Sequence, residues 1–151
     1  ERTHIESYLE IQQFRYQDIL DYEIQMDEEI YGYIIPKLTL QPLVENALYH
    51  GIKNKRGKGK ILITGKKQGD KIIFQVIDNG KGMTEEELNS LRKKMAGTDT
   101  GDEAKGFGVS NVNQRIKYYY GEEYGVFFES KENEGTNATI IIAAKNIQLL
   151  S

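Results

Sequence analysis

Residues 40–51 read Leu40-Gln41-Pro42-Leu43-Val44-Glu45-Asn46-Ala47-Leu48-Tyr49-His50-Gly51. Leu40, Leu43, Val44, Ala47 and Leu48 recur at spacings of three and four, which on a 3.6-residue helix makes one apolar stripe. The spacing predicts a helix over about Thr39 to Ile52 that packs by this stripe. Asn46, Tyr49, His50 and Lys53 recur at i, i+3, i+4 and i+7 and form a polar stripe along another edge. An amide oxygen at Asn46 suits a hard cation. His50 and Lys53 suit anionic oxygens. Taken alone, an amphipathic helix with a polar edge accounts for the same residues, and His50 has no second histidine or carboxylate at metal spacing.

Working outward, Ile5, Tyr8, Leu9, Gln12, Tyr16 and Ile19 fall near one face of an opening helix. Asp21 to Met26 alternates as a short strand. Downstream of the central helix a basic, glycine-bearing loop (residues 53–59) leads into two strands, Lys60 to Gly65 and Lys71 to Ile77, joined by a turn at Gln68-Gly69-Asp70. A short helix is predicted from Thr84 to Met95, with Thr84 as N-cap and Glu87 three residues on. Residues 96–105 are small, polar and glycine-containing, without apolar periodicity, and read as a loose lid-like loop. A helix from Gly108 to Tyr120 and two strands, Gly125 to Ser130 and Asn137 to Ala144, close the chain. This order predicts an α+β fold, a two-layer α/β sandwich with a mixed sheet covered on one face by helices.

Composition sets the outer limits. The 151 residues are 38% hydrophobic and 28% charged, with a formal net charge of -3 and no cysteine. Disulfides and thiolate metal sites are therefore excluded, and no basic patch points to nucleic acid. No apolar run approaches the ~20 residues that span a bilayer. The chain opens at Glu1 on a helical pattern, which reads as a boundary inside a longer protein.

Three further motifs are each ambiguous alone. Asp78-Asn79-Gly80-Lys81-Gly82-Met83 follows a buried strand; glycines there admit close backbone approach, yet Asn-Gly is also a strong turn dipeptide. Gly106-Phe107-Gly108-Val109-Ser110-Asn111-Val112 opens a helix, whose free N–H groups suit phosphate, but it lacks the P-loop pattern and follows no strand. Gly135-Thr136 precedes the last strand and reads equally as a turn.

Together, in this order and spacing, the four elements resemble the N, G1, G2 and G3 boxes of the GHKL superfamily, whose ATP-binding fold is the Bergerat fold. Residues 40–51, the run Gly108-Val109-Ser110-Asn111-Val112-Asn113-Gln114-Arg115-Ile116 with the Tyr-Tyr-Gly after it, and Tyr8-Leu9-Glu10-Ile11-Gln12 with Arg15-Tyr16 are similar to sensor histidine kinases of the YesM/LytS type. The resemblance covers nearly the whole chain. It implies an ATP-binding catalytic domain over residues 21–151 and, over residues 1–20, the end of a helical dimerisation or phosphoacceptor region.

Residue by residue, the resemblance implies that Asn46 ligates an ATP-bound Mg²⁺ and that Asp78 accepts the adenine amino group. Gly80, Gly82 and Met83 shape the pocket floor, and Thr136 lies near adenine. Gly106, Gly108 and Val109 serve the phosphates, as do His50 and Lys53. The implied partners are the protein's own upstream acceptor domain, a cytoplasmic response regulator and a second copy in a homodimer; the parent is implied to be anchored in the bacterial membrane. Two departures matter. Hydrolytic relatives carry a glutamate four residues before the asparagine to activate water; here Pro42 stands there, and Glu45 points about 100° away from Asn46. The acceptor box is absent, and His4 lacks its surroundings. A protein-histidine kinase is thus expected over a GHKL hydrolase or a non-catalytic nucleotide-binding module.

Overall fold

The computed structural model describes residues 6, 7, 9, 20–27, 40–48, 59–95 and 107–144, with Leu20, Phe107 and Gly108 described by backbone alone. Its elements are β1 (Leu20–Met26), α1 (Gln41–Asn46), β2 (Gly59–Gln68), β3 (Lys71–Asp78), α2 (Glu85–Met95), α3 (Phe107–Tyr120), β4 (Gly125–Lys131) and β5 (Gly135–Ala143). The strands form one five-stranded sheet in the order β1-β2-β3-β5-β4. β1 runs parallel to β2, and every other neighbouring pair is antiparallel. A parallel pair needs a crossover connection, and α1 lies within it.

Period-two alternation decides which face is covered. Ile61 and Ile63 on β2, Ile72, Phe74 and Val76 on β3, Val126 and Phe128 on β4, and Ala138, Ile140 and Ile142 on β5 are all buried in one cluster. Facing them are Leu43 and Val44 of α1, Leu88 and Met95 of α2, and Val109, Val112 and Ile116 of α3. The alternate positions Leu62, Ile73, Ile77 and Ile141 stay partly exposed, and Phe127 is 45% exposed. The helices therefore cover one face of a mixed sheet, as the element order predicts. The whole expected stripe of the central helix, Leu40 through Leu48, is buried.

Among the strands, ends differ from expectation by more than one residue in two places. β2 runs on past Gly65 to Gln68, because Lys66, Lys67 and Gln68 pair with Ile73, Ile72 and Lys71, leaving a two-residue turn with the positive φ (60°) on Gly69. β5 begins at Gly135 rather than Asn137, since Gly135 already pairs with Lys131. The Thr84 cap is as expected: Thr84 Oγ1 accepts from the Glu87 amide at 3.2 Å and Glu87 Oε1 accepts from the Thr84 amide at 3.1 Å, a reciprocal capping box. Of the expected opening helix, only Glu6, Ser7 and Leu9 are described; they are helical, and Leu9 is buried in the core cluster. The proposed division after residue 20 falls one residue inside β1, and residues 10–19 before it lie outside the described residues.

Candidate functional site

One cross-strand row at the end of the sheet breaks the apolar pattern. Asp78 on β3, Thr136 on β5 and Ser130 on β4 are successive partners in register. Direct partners share a face, and two residues inward the same face carries Val76, Ala138 and Phe128. Asp78 is 6% exposed and, with Asn113, is one of two buried polar side chains among the described residues. Burying a carboxylate is costly unless it is bonded; a polar row on an otherwise apolar face marks this end of the sheet as the candidate site.

The chain after Asp78 is built around that carboxylate. Asp78 Oδ1 accepts the Gly80 amide at 2.9 Å, an Asx-type turn. Asn79 extends the pairing to β2: its Oδ1 accepts the Lys60 amide at 2.7 Å, and its own amide donates to the Lys60 carbonyl. The turn then docks on the β4–β5 hairpin. Met83 donates its amide to Ser130 Oγ at 2.8 Å, and Asn133 donates its amide to the Lys81 carbonyl at 2.6 Å. Gly82 has φ +67°, and a Cβ there would lie 2.0 Å from the Lys131 carbonyl oxygen. Gly135 has φ +115°, and its Cβ would lie 2.0 Å from the carbonyl oxygen of Asp78. Both glycines are demanded by backbone packed against backbone.

Helix α3 brings its N-terminal end to the same row. Lys117 Nζ donates to the Tyr124 carbonyl at 2.9 Å, while Asn113 Oδ1 accepts the Val126 amide at 2.9 Å. Those two contacts show α3 running antiparallel to β4. The N-terminus of α3, with Gly108 and Val109, therefore lies at the Ser130 end of the strand. A helix N-terminus presents unpaired amides and the positive end of the dipole, which favours anions. α1 packs on α3. Asn46 ends α1 half-buried, where the helix widens into a π-type turn at Ala47 and Leu48, a distortion common at functional sites. Glu45 Oε1 is held at 2.9 Å by Gln41 Nε2, one turn back.

Of the expected site residues, Asp78, Gly80, Gly82, Met83 and Thr136 are joined directly through the turn and the hairpin. Gly108 and Val109 lie at the same end, and Asn46 stands on the helix beside them. Tyr49, His50, Lys53, Gly106 and the expected lid over 96–105 lie outside the described residues. Sequence reasoning passed over Ser130, which only the strand register places beside Thr136. It also gave Asn113 no role. Asn113 Nδ2 donates to the Met95 carbonyl at 3.2 Å, and Ser110 Oγ lies 3.4 Å from the Lys94 carbonyl; these two side chains cap the C-terminus of α2 and tie it to α3. At the far end of α3, Tyr120 and Tyr124 meet edge-on at 6.2 Å, and burial raises the Tyr120 phenol above its ordinary value.

Comparison with known proteins agrees with the fold. Residues 36–146 match the family model described as histidine kinase-, DNA gyrase B-, and HSP90-like ATPase. YwpD of Bacillus subtilis is 37% identical over 94% of the chain and 48% of that protein's length. The sensor histidine kinase YesM of the same species is 34% identical over 94% of the chain and 23% of its own length. Sensor protein LytS of Bacillus anthracis is 31% identical, covering 96% and 24%. The chain thus spans about half of the first relative and about a quarter of the other two. The catalytic domain of histidine kinase ThkA shares the fold at a TM-score of 0.66 and 20% identity, covering 92% of this chain and 90% of that one. ThkA solved in complex with the response regulator TrrA does so at 0.68 and 20%, covering 95% and 39%.

Proposed function

Because the chain belongs to the family of histidine kinase-, DNA gyrase B- and HSP90-like ATPases, we propose that it is the ATP-binding catalytic domain of a two-component sensor histidine kinase. The observation that carries this is the polar row Asp78–Thr136–Ser130, set at one end of an otherwise apolar sheet face and locked to the Gly80–Met83 turn.

In this reading the Asp78 carboxylate, an acceptor, takes the exocyclic amine of adenine, with Thr136 next to it. Gly80, Gly82 and Met83 hold the base side. The amides of Gly108 and Val109 at the head of α3 meet the phosphates, together with Gly106, His50 and Lys53. Asn46 offers one amide oxygen on the helix packed beside α3. That suits Mg²⁺, which keeps several waters and shares ligands with nucleotide phosphates. Among the described residues no group of three His, Cys, Asp or Glu side chains is placed to hold a metal by itself. The ion would neutralise phosphate charge when bound with ATP.

Phosphoryl transfer depends mainly on positioning and charge stabilisation. The residues here favour a kinase over a hydrolase. Pro42 opens α1 where hydrolytic relatives carry a base, and Glu45 is engaged by Gln41. The γ-phosphate would pass to a histidine on an upstream helical domain of a homodimeric parent, and then to a cytoplasmic response regulator. Among the described residues no helix is long and apolar enough to cross a membrane; the parent would carry its anchor elsewhere. Nucleic acid has no part in this scheme. Incubating the parent protein with γ-labelled Mg²⁺-ATP tests it. Label that is stable to alkali and labile to acid is expected on histidine. Release of free phosphate without labelled protein would make the domain a hydrolase instead.

A further inference from the structure

Ser130 makes more contacts than one hydroxyl proton can serve. Its Oγ accepts the Met83 amide at 2.8 Å, lies 3.0 Å from the Gly135 carbonyl oxygen and lies 2.8 Å from Thr136 Oγ1. The Gly135 carbonyl only accepts, and serine has a single proton to give. All three contacts are satisfied in one arrangement alone: Thr136 donates to Ser130, and Ser130 donates to Gly135. The proton of Thr136 is then committed to Ser130, and only its lone pairs remain for a ligand.

We propose that Ser130 is a specificity-determining residue of the base site. By fixing the Thr136 proton it makes the neighbouring pair Asp78–Thr136 accept and never donate. Adjacent cross-strand side chains stand about 5 Å apart, so one purine edge addresses both directly. A purine with an amino group at position 6 brings donors to these acceptors. A 6-oxo purine puts an acceptor at position 6 and moves its donor to N1, so the site acceptor that met the amino group is left unpaired, a basis for rejection. The same hydroxyl holds the Gly80–Met83 turn through Met83, so base recognition and the shape of the turn share one residue. The inference rests on the ATP reading above and deepens it.

Calorimetric titration with non-hydrolysable Mg²⁺-ATP and Mg²⁺-ITP analogues tests it, since the two differ in donor pattern at the base edge. The wild-type domain is expected to prefer ATP by up to ~100-fold, the scale of rejection when a buried polar group loses its partner. Ser130→Ala frees the Thr136 hydroxyl to rotate and donate, and should shrink that preference about tenfold, the worth of one hydrogen bond. Ser130→Thr keeps the hydroxyl and should restore it. Thr136→Val leaves Ser130 bonded to Met83 and Gly135, and should shrink the preference similarly; it decides the matter if Ser130→Ala does not fold. Equal weakening of both nucleotides by Ser130→Ala, or an unchanged preference in Thr136→Val, would overturn the proposal and reduce Ser130 to a turn-holding role. A wild-type domain that binds neither nucleotide would instead remove the ATP reading itself, and the proposal with it.

Discussion

Asn113 joins three elements, so its truncation gives a sharp test of the packing. The side chain is buried, donating to the Met95 carbonyl at the end of α2 and accepting the Val126 amide of β4. Asn113→Ala strands both backbone groups in a region where Met95 and Val126 are buried. Each stranded group costs about 1–3 kcal/mol. A combined loss of ~3 kcal/mol is a conservative sum, because partial hydration of the Met95 carbonyl offsets some of it. For a domain of this size, 1 kcal/mol moves Tm by about 3–4 °C. Asn113→Ala should therefore melt ~10 °C lower by scanning calorimetry, with a matching fall in the urea midpoint. Asn111→Ala, on the exposed side of the same helix, should stay within ~0.5 kcal/mol of wild type. A loss below ~1 kcal/mol for Asn113→Ala would refute the accounting. Lost nucleotide binding without lost stability would make Asn113 a site residue rather than a structural tie.

Asn46→Ala should remove the Mg²⁺-dependent part of ATP affinity while leaving Tm within about 2 °C, as for a substitution away from the core, since Asn46 lies off the buried stripe; calorimetric titration with and without Mg²⁺ reads the first, a melt the second. Gly82→Ala forces a Cβ to within 2.0 Å of the Lys131 carbonyl oxygen at φ +67°, so the turn must move; a loss above ~2 kcal/mol is expected, and a wild-type melt would show that the hairpin yields freely. Thr84→Ala breaks the capping box and should cost ~1 kcal/mol by urea unfolding, with ATP affinity unchanged.

Much of the fold was readable because its signals are local. The stripe Leu40, Leu43, Val44, Ala47 and Leu48 and the alternation of Lys71 to Ile77 each report burial by period alone. Thr84 and Glu87 declared their capping box three residues apart. What sequence could not show was contact between strands distant in the chain. Ser130 reads as an ordinary residue near a strand end until the Met83 amide, 47 residues away in the chain, is found on its hydroxyl. Gly135 reads as a turn glycine until the Asp78 carbonyl is found against it. Asn113 sits mid-helix, where its bonds to Met95 and Val126 depend on α2 and β4 arriving from either side. Asp78, by contrast, was visible because its strand ends in a glycine-rich turn, and the four boxes were legible only as a set.

The central claim is that Asp78 anchors adenine at the end of this sheet, and one titration addresses it most directly. Mg²⁺-ATP is added to the wild-type domain and to Asp78→Asn, which exchanges an acceptor-only carboxylate for an amide whose NH₂ group can only donate. Saturable binding by the wild type, weakened at least ~100-fold in a variant of unchanged fold, is the expected result. Equal affinity in the two proteins, with both folded, would contradict the account.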